Sequence, residues 1–330
     1  MRENWKGGND TSKVKKIENP DFLKPHVKTK VTVMGNITEV MTCEKQSNGS
    51  PCKKIDKDHY VDLRTGELFE YEHSESRGEN LHGIRQTLNR IRALINTNVT
   101  EPLNCRWVTL TYRQEENTPM TDTKKLYSDY FKFWKRFCYW CKTNGYGKPE
   151  YISVIEPQGS GAWHVHSFFI WQEKAPFIPN DKMAELWGQG FTKTKQPQDC
   201  DNVGAYFSAY LGDMPLDEVQ HMSKDKQLQA LSASGRVDEK EFSDDAGAVK
   251  KKKFVKGGRL FLYPPGMNII RSSKGVKQPE VEYMSREMAQ KKVSSAKETF
   301  SCAYEIVGDD GQVVNRISKA YYNSARKKKQ

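Results

Sequence analysis

The sequence predicts an α+β protein in which helices pack on an antiparallel sheet. Two runs rich in β-forming residues, 151–156 and 162–171, are joined by the short loop 157–161, which is the pattern of a hairpin. Residues 121–142 instead place their apolar side chains at helical spacing. The hairpin supplies antiparallel strands, and the apolar stripe of the helix should pack on the resulting sheet.

Other segments extend this pattern along the chain. A hairpin is predicted at 60–71 with its turn at Thr65-Gly66, and apolar residues at helical spacing follow over 81–95. A β-branched, alternating strand is predicted at 107–112. The later part of the chain predicts a helix at 202–211 capped by Asp201 or Asn202, a helix near 224–231, a mobile loop at 232–245 and a hairpin at 302–317.

Two histidines, His164 and His166, stand one residue apart in the second run. Side chains two apart on a strand share a face, so both imidazoles can bind one metal ion. Glu156 ends the preceding run and joins them if it pairs with His164, whereas a slip of one residue turns it to the other face. Two imidazoles and a carboxylate suit Mg²⁺ or Mn²⁺. The alternative is that the histidines are buried and held by local hydrogen bonds.

A pair of tyrosines, Tyr206 and Tyr210, lies four residues apart in the helix predicted downstream. Such a pair occupies one helix face. One interpretation is an amphipathic helix that buries two aromatic rings. The other is a pair of nucleophiles, which need help from a metal because a phenol with a pKa of about 10 is weakly nucleophilic at neutral pH.

The order of these blocks resembles that of the HUH endonucleases. A Thr-Leu-Thr strand at 107–112 is followed by the hairpin carrying Glu156 and the two histidines, and then by the Tyr-x-x-x-Tyr helix. More narrowly, the chain is similar to rolling-circle replication initiator (Rep) proteins of bacterial plasmids, integrative elements and some phages. The segments 60–67 and 263–275 also resemble the plasmid Rep family, though less specifically.

This resemblance implies a ferredoxin-like core and site-specific nicking of single-stranded DNA through a 5′-phosphotyrosine. By the same resemblance, His164, His166 and Glu156 bind the metal ion, Tyr206 is the nucleophile and Tyr210 a second one. Many Rep helices carry a lysine three residues after the first tyrosine, where this chain has Ala209. Related alternatives are a relaxase or a transposase of the superfamily. A different class is a non-catalytic DNA-binding protein.

The composition favours a polyanionic partner. The 330 residues carry a formal net charge of +11, with an isoelectric point near 9.1. A basic protein with no such partner is the alternative. The mean hydropathy of −0.82 and the lack of a long apolar run predict no membrane span, and the N-terminus lacks a signal-peptide pattern, so a cytoplasmic bacterial location is expected. No phosphate-binding loop of a helicase is present, so a host helicase is an expected partner alongside origin DNA.

A basic run interleaved with aromatic rings follows the predicted loop. Basic residues with aromatic neighbours suit single-stranded DNA, although a solvated lysine run is an equally good interpretation. The residues assigned to DNA are Lys251, Lys253, Lys256 and Arg259.

The sequence therefore suggests three regions. Residues 1–55 form a basic, weakly ordered N-terminal region. Residues 56–275 form the endonuclease domain, with its motif core at 107–211 and a mobile insertion at about 217–249. Residues 276–330 form an extension with a hairpin and a basic tail.

Overall fold

The structure, a computed structural model, divides the chain into two compact units. The terminal unit comprises residues 1–74 and 279–330, and the central unit comprises residues 75–278. The residues described are 13–18, 20–46, 49–71, 81–113, 119–197, 212–232, 236–243, 249–308 and 310–327.

The central unit is built on a five-stranded antiparallel sheet with the strand order β10-β7-β9-β8-β14. A three-stranded sheet with the order β11-β13-β12 belongs to the same unit. The strands are β7 (Cys105–Thr111), β8 (Glu150–Pro157), β9 (Trp163–Ile170), β10 (Thr192–Lys195), β11 (Met214–Pro215), β12 (Val237–Ser243), β13 (Val249–Val255) and β14 (Ile270–Ser272); the described helices are α1 (Leu81–Asn98), α2 (Thr123–Thr143), α3 (Asn180–Trp187), α4 (Leu216–Gln220) and α5 (Lys224–Ser232).

The terminal unit contains a six-stranded antiparallel sheet with the order β1-β16-β17-β3-β2-β15 and a small sheet with the order β4-β5-β6. Its strands are β1 (Lys13–Ile17), β2 (Lys28–Met34), β3 (Ile37–Cys43), β4 (Cys52–Lys54), β5 (His59–Asp62), β6 (Leu68–Glu70), β15 (Glu280–Ser285), β16 (Ala296–Val307) and β17 (Val313–Lys327), and its described helix is α6 (Arg286–Lys292).

Helix α2 covers one face of the five-stranded sheet. Asp122 caps the helix by accepting hydrogen bonds from the backbone of Lys124 and Lys125, which satisfies donors that a helix start leaves unpaired. Further along, the rings of Phe133 and Phe137 lie 6.1 and 4.6 Å from the ring of Phe169 on β9. This packing confirms an α+β protein with helices on an antiparallel sheet and leaves the opposite face of β9 for polar side chains.

The N-terminal region differs from its sequence-based prediction. Residues 1–55 were expected to be weakly ordered, yet β2 and β3 form a hairpin with Val31 and Val40 buried. Strand β3 pairs with β17, and β1 pairs with β16, so the chain's two ends complete one sheet. A local pattern carries no information about partners so distant in sequence, which is why the residues after 276 also looked like a separate extension.

The segment expected to be a mobile loop, 232–245, also differs. Strand β12 pairs with β13 over seven residues, opposite the lysine run. Alternating acidic residues on β12 face lysines across the pair, as Glu239 faces Lys253, and opposite charges at such positions favour pairing. Within the described residues, no helix combines the length and apolar character needed to cross a membrane.

Candidate active site

Three side chains on one face of the five-stranded sheet converge at the end of the β8–β9 hairpin. Glu156 on β8 pairs directly with His164 on β9, and His166 follows two residues later on the same face. One ligand atom from each residue lies within 4.8 Å of the others. The hairpin therefore forms in the register that brings the carboxylate to the histidines.

His166 is held from two sides. Its Nε2 donates to Glu156 Oε2 at 2.6 Å, and its Nδ1 lies 3.2 Å from Thr109 Oγ1 on β7. A hydroxyl both donates and accepts, so Thr109 can hold the ring in either tautomer. Outer contacts of this kind orient histidines that bind metals. Sequence analysis treated 107–112 only as a strand of the motif, and the alternation of its threonines was the available signal for this role.

His164 has a different environment from His166. Its Nε2 is buried and has no hydrogen-bond partner among the residues that the structure describes. Burial, with a smaller contribution from the charge of His166, lowers the pKa of His164 to about 4. The imidazole is therefore neutral near pH 7, and its buried nitrogen is poised to bind a ligand.

A buried arginine, Arg259, holds the other oxygen of Glu156. Its Nε lies 3.1 Å from Glu156 Oε1, its Nη2 lies 3.0 Å from Glu218 Oε2, and its Nη1 donates to the carbonyl oxygen of Pro157 at 2.7 Å. Burial opposes ionisation of Glu156, but the hydrogen bond from His166 and the charge of Arg259 outweigh it and hold the pKa of Glu156 below its ordinary value. Glu156 therefore stays charged beside the histidines.

This position of Arg259 differs from the role that the sequence suggested for it. The residue is only 7% exposed, and its guanidinium contacts two carboxylates and two backbone carbonyl oxygens. Reaching a DNA phosphate would strip buried carboxylates of their counter-ion, which is costly. The structure thus brings Arg259 to the histidine cluster, a placement that its position in a basic run concealed.

The residues of the cluster fit a divalent metal ion. Two imidazole nitrogens and one carboxylate, without a thiolate, leave coordination positions open for a substrate and suit Mg²⁺ or Mn²⁺. The buried, unpartnered Nε2 of His164 and the ionised Glu156 are the states that such binding requires. His164, His166 and Glu156 would hold the ion.

The two tyrosines of the sequence motif, Tyr206 and Tyr210, lie outside the described residues. Their roles therefore stay predictions.

The lysines assigned to DNA fall into two environments. Lys251 and Lys253 are exposed on β13, although Lys251 Nζ lies 3.5 Å from Glu239 Oε1. Lys256 is partly buried, and its Nζ binds Asp213 Oδ2 at 3.0 Å. The exposed pair is accessible to a phosphate backbone, whereas Lys256 stabilises a buried carboxylate.

Sequence analysis missed two lysines on the edge strand β10. Lys193 pairs with Thr109, which pairs with His166, so these residues form one row across the histidine face. Lys195 stands in the next row of the same face. The alternation Thr-Lys-Thr-Lys at 192–195 was the signal, since it puts both lysines on one side of a strand.

Comparison with known proteins supports a replication protein. Residues 105–214 match the family model of replication-associated proteins of the ORF2 type. The matched segment begins at β7 and includes Glu156, His164 and His166. Searches of curated proteins and of solved structures find no match. The family match supports a Rep-like replication initiator.

Proposed function

We propose that the protein initiates rolling-circle replication by nicking and rejoining one DNA strand at an origin, with the chemistry of an HUH endonuclease. The observation that carries this proposal is the convergence of Glu156, His164 and His166 inside the segment that matches the replication-associated family. The five-stranded sheet, with the histidines on its middle strand, would be the ferredoxin-like HUH core.

The chain's own residues would prepare the substrate for cleavage. A divalent ion held by the cluster would polarise the scissile phosphate and stabilise the leaving 3′-oxygen. Thr109 and Arg259 keep His166 and Glu156 in place, so little reorganisation accompanies binding. Lys193, in the same cross-strand row as His166, would neutralise a neighbouring phosphate and offset the absence of a lysine at Ala209.

The proposed reaction is a transesterification. The Tyr206 oxygen forms a bond to phosphorus and loses its proton, while the bond from phosphorus to the 3′-oxygen breaks and that oxygen gains a proton. The products are a 5′-phosphotyrosine and a 3′-hydroxyl that primes synthesis. Because one phosphodiester replaces another, the strand can be rejoined without ATP. Tyr210 would attack the new junction. We expect this to occur in the bacterial cytoplasm beside a host helicase.

The decisive experiment maps the covalent adduct. Wild-type protein is incubated with labelled single-stranded origin DNA and Mn²⁺, and the linked peptide is identified by mass spectrometry. Tyr206→Phe should abolish the adduct, because it removes the attacking oxygen and keeps the ring. Tyr210→Phe should form the first adduct but fail in a second strand transfer.

Other outcomes contradict the assignment in different ways. An adduct on Tyr210 alone reverses the roles of the two tyrosines. Cleavage by wild-type protein with an adduct on neither tyrosine refutes the tyrosine mechanism. DNA binding without any cleavage favours the non-catalytic DNA-binding protein, and cleavage at a transfer origin or a transposon end would favour a relaxase or a transposase.

A further inference from the structure

The six-stranded sheet of the terminal unit has two chemically different faces. One face forms an apolar core, where Val31 and Val40 pair across β2 and β3 and pack with Ala289 and Val293 of the helix α6 segment. Side chains alternate along a strand, so the neighbours of these valines point the other way. The opposite face is therefore defined by the register of the strands.

Lysines and aromatic rings dominate this opposite face, which we name the lysine–aromatic face. Three cross-strand rows compose it. The first contains Tyr283, Lys30, Met41, Lys319 and Cys302; the second contains Val281, Thr32, Glu39, Tyr321 and Phe300; and the third contains Lys28, Cys43, Ile317, Tyr304 and Lys16.

Several of the rings are accessible. Phe300 is 56% exposed and Tyr283 is 59% exposed, which leaves large apolar surfaces in solvent. The ring of Tyr321 lies 6.2 Å from that of Phe300, so the two form a continuous aromatic surface. Lys28 Nζ lies 4.9 Å from the centroid of Tyr283, which places a cation at a ring face. Exposed rings beside cations are typical of surfaces that stack unpaired bases.

The charge of the face is positive. Four lysines (Lys16, Lys28, Lys30 and Lys319) stand against one carboxylate, that of Glu39. Tyr321 donates to Glu39 Oε1 at 3.0 Å, and Lys319 Nζ lies 3.9 Å from the same oxygen.

The thiol of Cys43 reports the same field. Burial raises the pKa of Cys43, whereas the charges of Lys319 and Lys30 oppose that rise. Lysines on two different strands therefore act on one point of the face. A polyanion would meet a field of one sign there.

We propose that the lysine–aromatic face binds single-stranded DNA, and thereby adds a second contact region to a chain whose proposed nicking site lies in the central unit. Bases would stack on Phe300, Tyr321 and Tyr283, while phosphates bind lysines of the neighbouring positions. Exposed ring faces favour a single strand over a duplex, because stacking needs bases that are free of their partners. The proposal rests on the proposed function for the choice of DNA as the polyanion.

The test measures binding of the full-length protein to a fluorescent oligothymidine by anisotropy at several salt concentrations. Lys30→Gln with Lys319→Gln should lower the slope of log affinity against log salt by about 1.4, which is about 0.7 for each lost phosphate contact. Phe300→Leu and Tyr283→Leu should each weaken binding by roughly fivefold or more, as loss of a stacked base predicts.

A matched control removes the same charge from the same unit but from another sheet. Lys53→Gln with Lys54→Gln, both exposed on β4, should leave the slope and the affinity almost unchanged. Wild-type protein crosslinked to an iodouridine oligonucleotide gives a second measurement that needs no variant. Its crosslinks should map to Tyr283, Tyr321 or Phe300.

Each other result decides against the proposal. Equal salt slopes for wild type and Lys30→Gln with Lys319→Gln, crosslinks confined to the central unit, or an equal loss of affinity for duplex DNA would overturn it. Selective loss of RNA or acidic-peptide binding with oligothymidine binding intact would assign the face to that partner instead. Nicking of a short origin strand is measured in parallel, so failure of the face with intact nicking leaves the proposed function standing, and crosslinks on the face without nicking refute that function alone.

Discussion

The two large sheets of this protein use charged side chains in opposite ways. In the central unit, Glu156 and Arg259 are buried at 5% and 7% exposure, and their partners are fixed at hydrogen-bond distance. In the terminal unit, Lys16 and Lys28 project from the sheet into solvent. Both sheets are antiparallel and both bury one apolar face. The difference therefore lies in what the second face does.

That difference distinguishes a site for chemistry from a surface for affinity. Burying a charge is expensive unless partners surround it, so an ionised cluster inside a sheet indicates a specific task for those groups. Exposed lysines cost little to maintain and contribute mainly through long-range attraction and release of counter-ions. Changes in the central cluster should therefore alter cleavage or folding sharply, whereas changes on the lysine–aromatic face should alter binding gradually.

The largest expected effect is on cleavage. His164→Ala with His166→Ala removes two of the three proposed metal ligands, and loss of several kcal/mol of transition-state stabilisation corresponds to roughly a thousandfold lower rate. DNA affinity should stay close to that of wild type, because basic residues supply it. Cleavage of labelled single-stranded DNA with Mn²⁺, and with a chelator as control, checks both parts. Full cleavage by the double variant would break the proposed distinction.

The next effect is on folding stability. Arg259→Gln leaves Glu156 and Glu218 without their buried cation, and breaking such a pair costs about 3 kcal/mol or more. Thermal unfolding of the variant measures this loss. Lys30→Gln, on the open face, is the control and should change stability by less than about 0.5 kcal/mol.

The same arginine variant should alter the dependence of stability on pH. Ionised Glu156 stabilises the fold above its unfolded pKa, and this stability is lost as pH falls through the lowered folded pKa. Without Arg259 the folded pKa of Glu156 rises, so the acid loss should begin at higher pH. Unfolding curves at several pH values measure the shift, and identical acid limbs for wild type and variant would show that the guanidinium does not hold the carboxylate ionised.

The smallest expected effect belongs to the β12–β13 hairpin. Lys251→Ala with Lys253→Ala should weaken binding to all DNA sequences alike and lower the salt slope by at most about 0.7 per contact. Glu239, beside Lys251 and across from Lys253, already neutralises part of their charge, so the change should be smaller than on the lysine–aromatic face. A drop in slope larger than that of Lys30→Gln with Lys319→Gln would make the hairpin the stronger DNA contact.

Sequence patterns were sufficient where the determining interactions are local. The hairpin of β8 and β9, the helix at 123–143 and the strand at 105–111 follow from alternation, helical spacing and a capping aspartate. The shared face of His164 and His166 follows from the period of a strand. In these cases each side chain acts on neighbours a few residues away, so the order of residues carries the information.

Other features were decided by pairing between distant segments. Register alone determined whether Glu156 faces His164, and packing alone buried Arg259 beside Glu156. The six-stranded sheet joins β3 to β17, so only the folded chain could bring Lys30 and Lys319 to one face. By itself the sequence determined which residues can bind a metal ion or a phosphate. Tertiary structure decided which of them meet, because strand pairing and burial depend on partners that no local pattern contains.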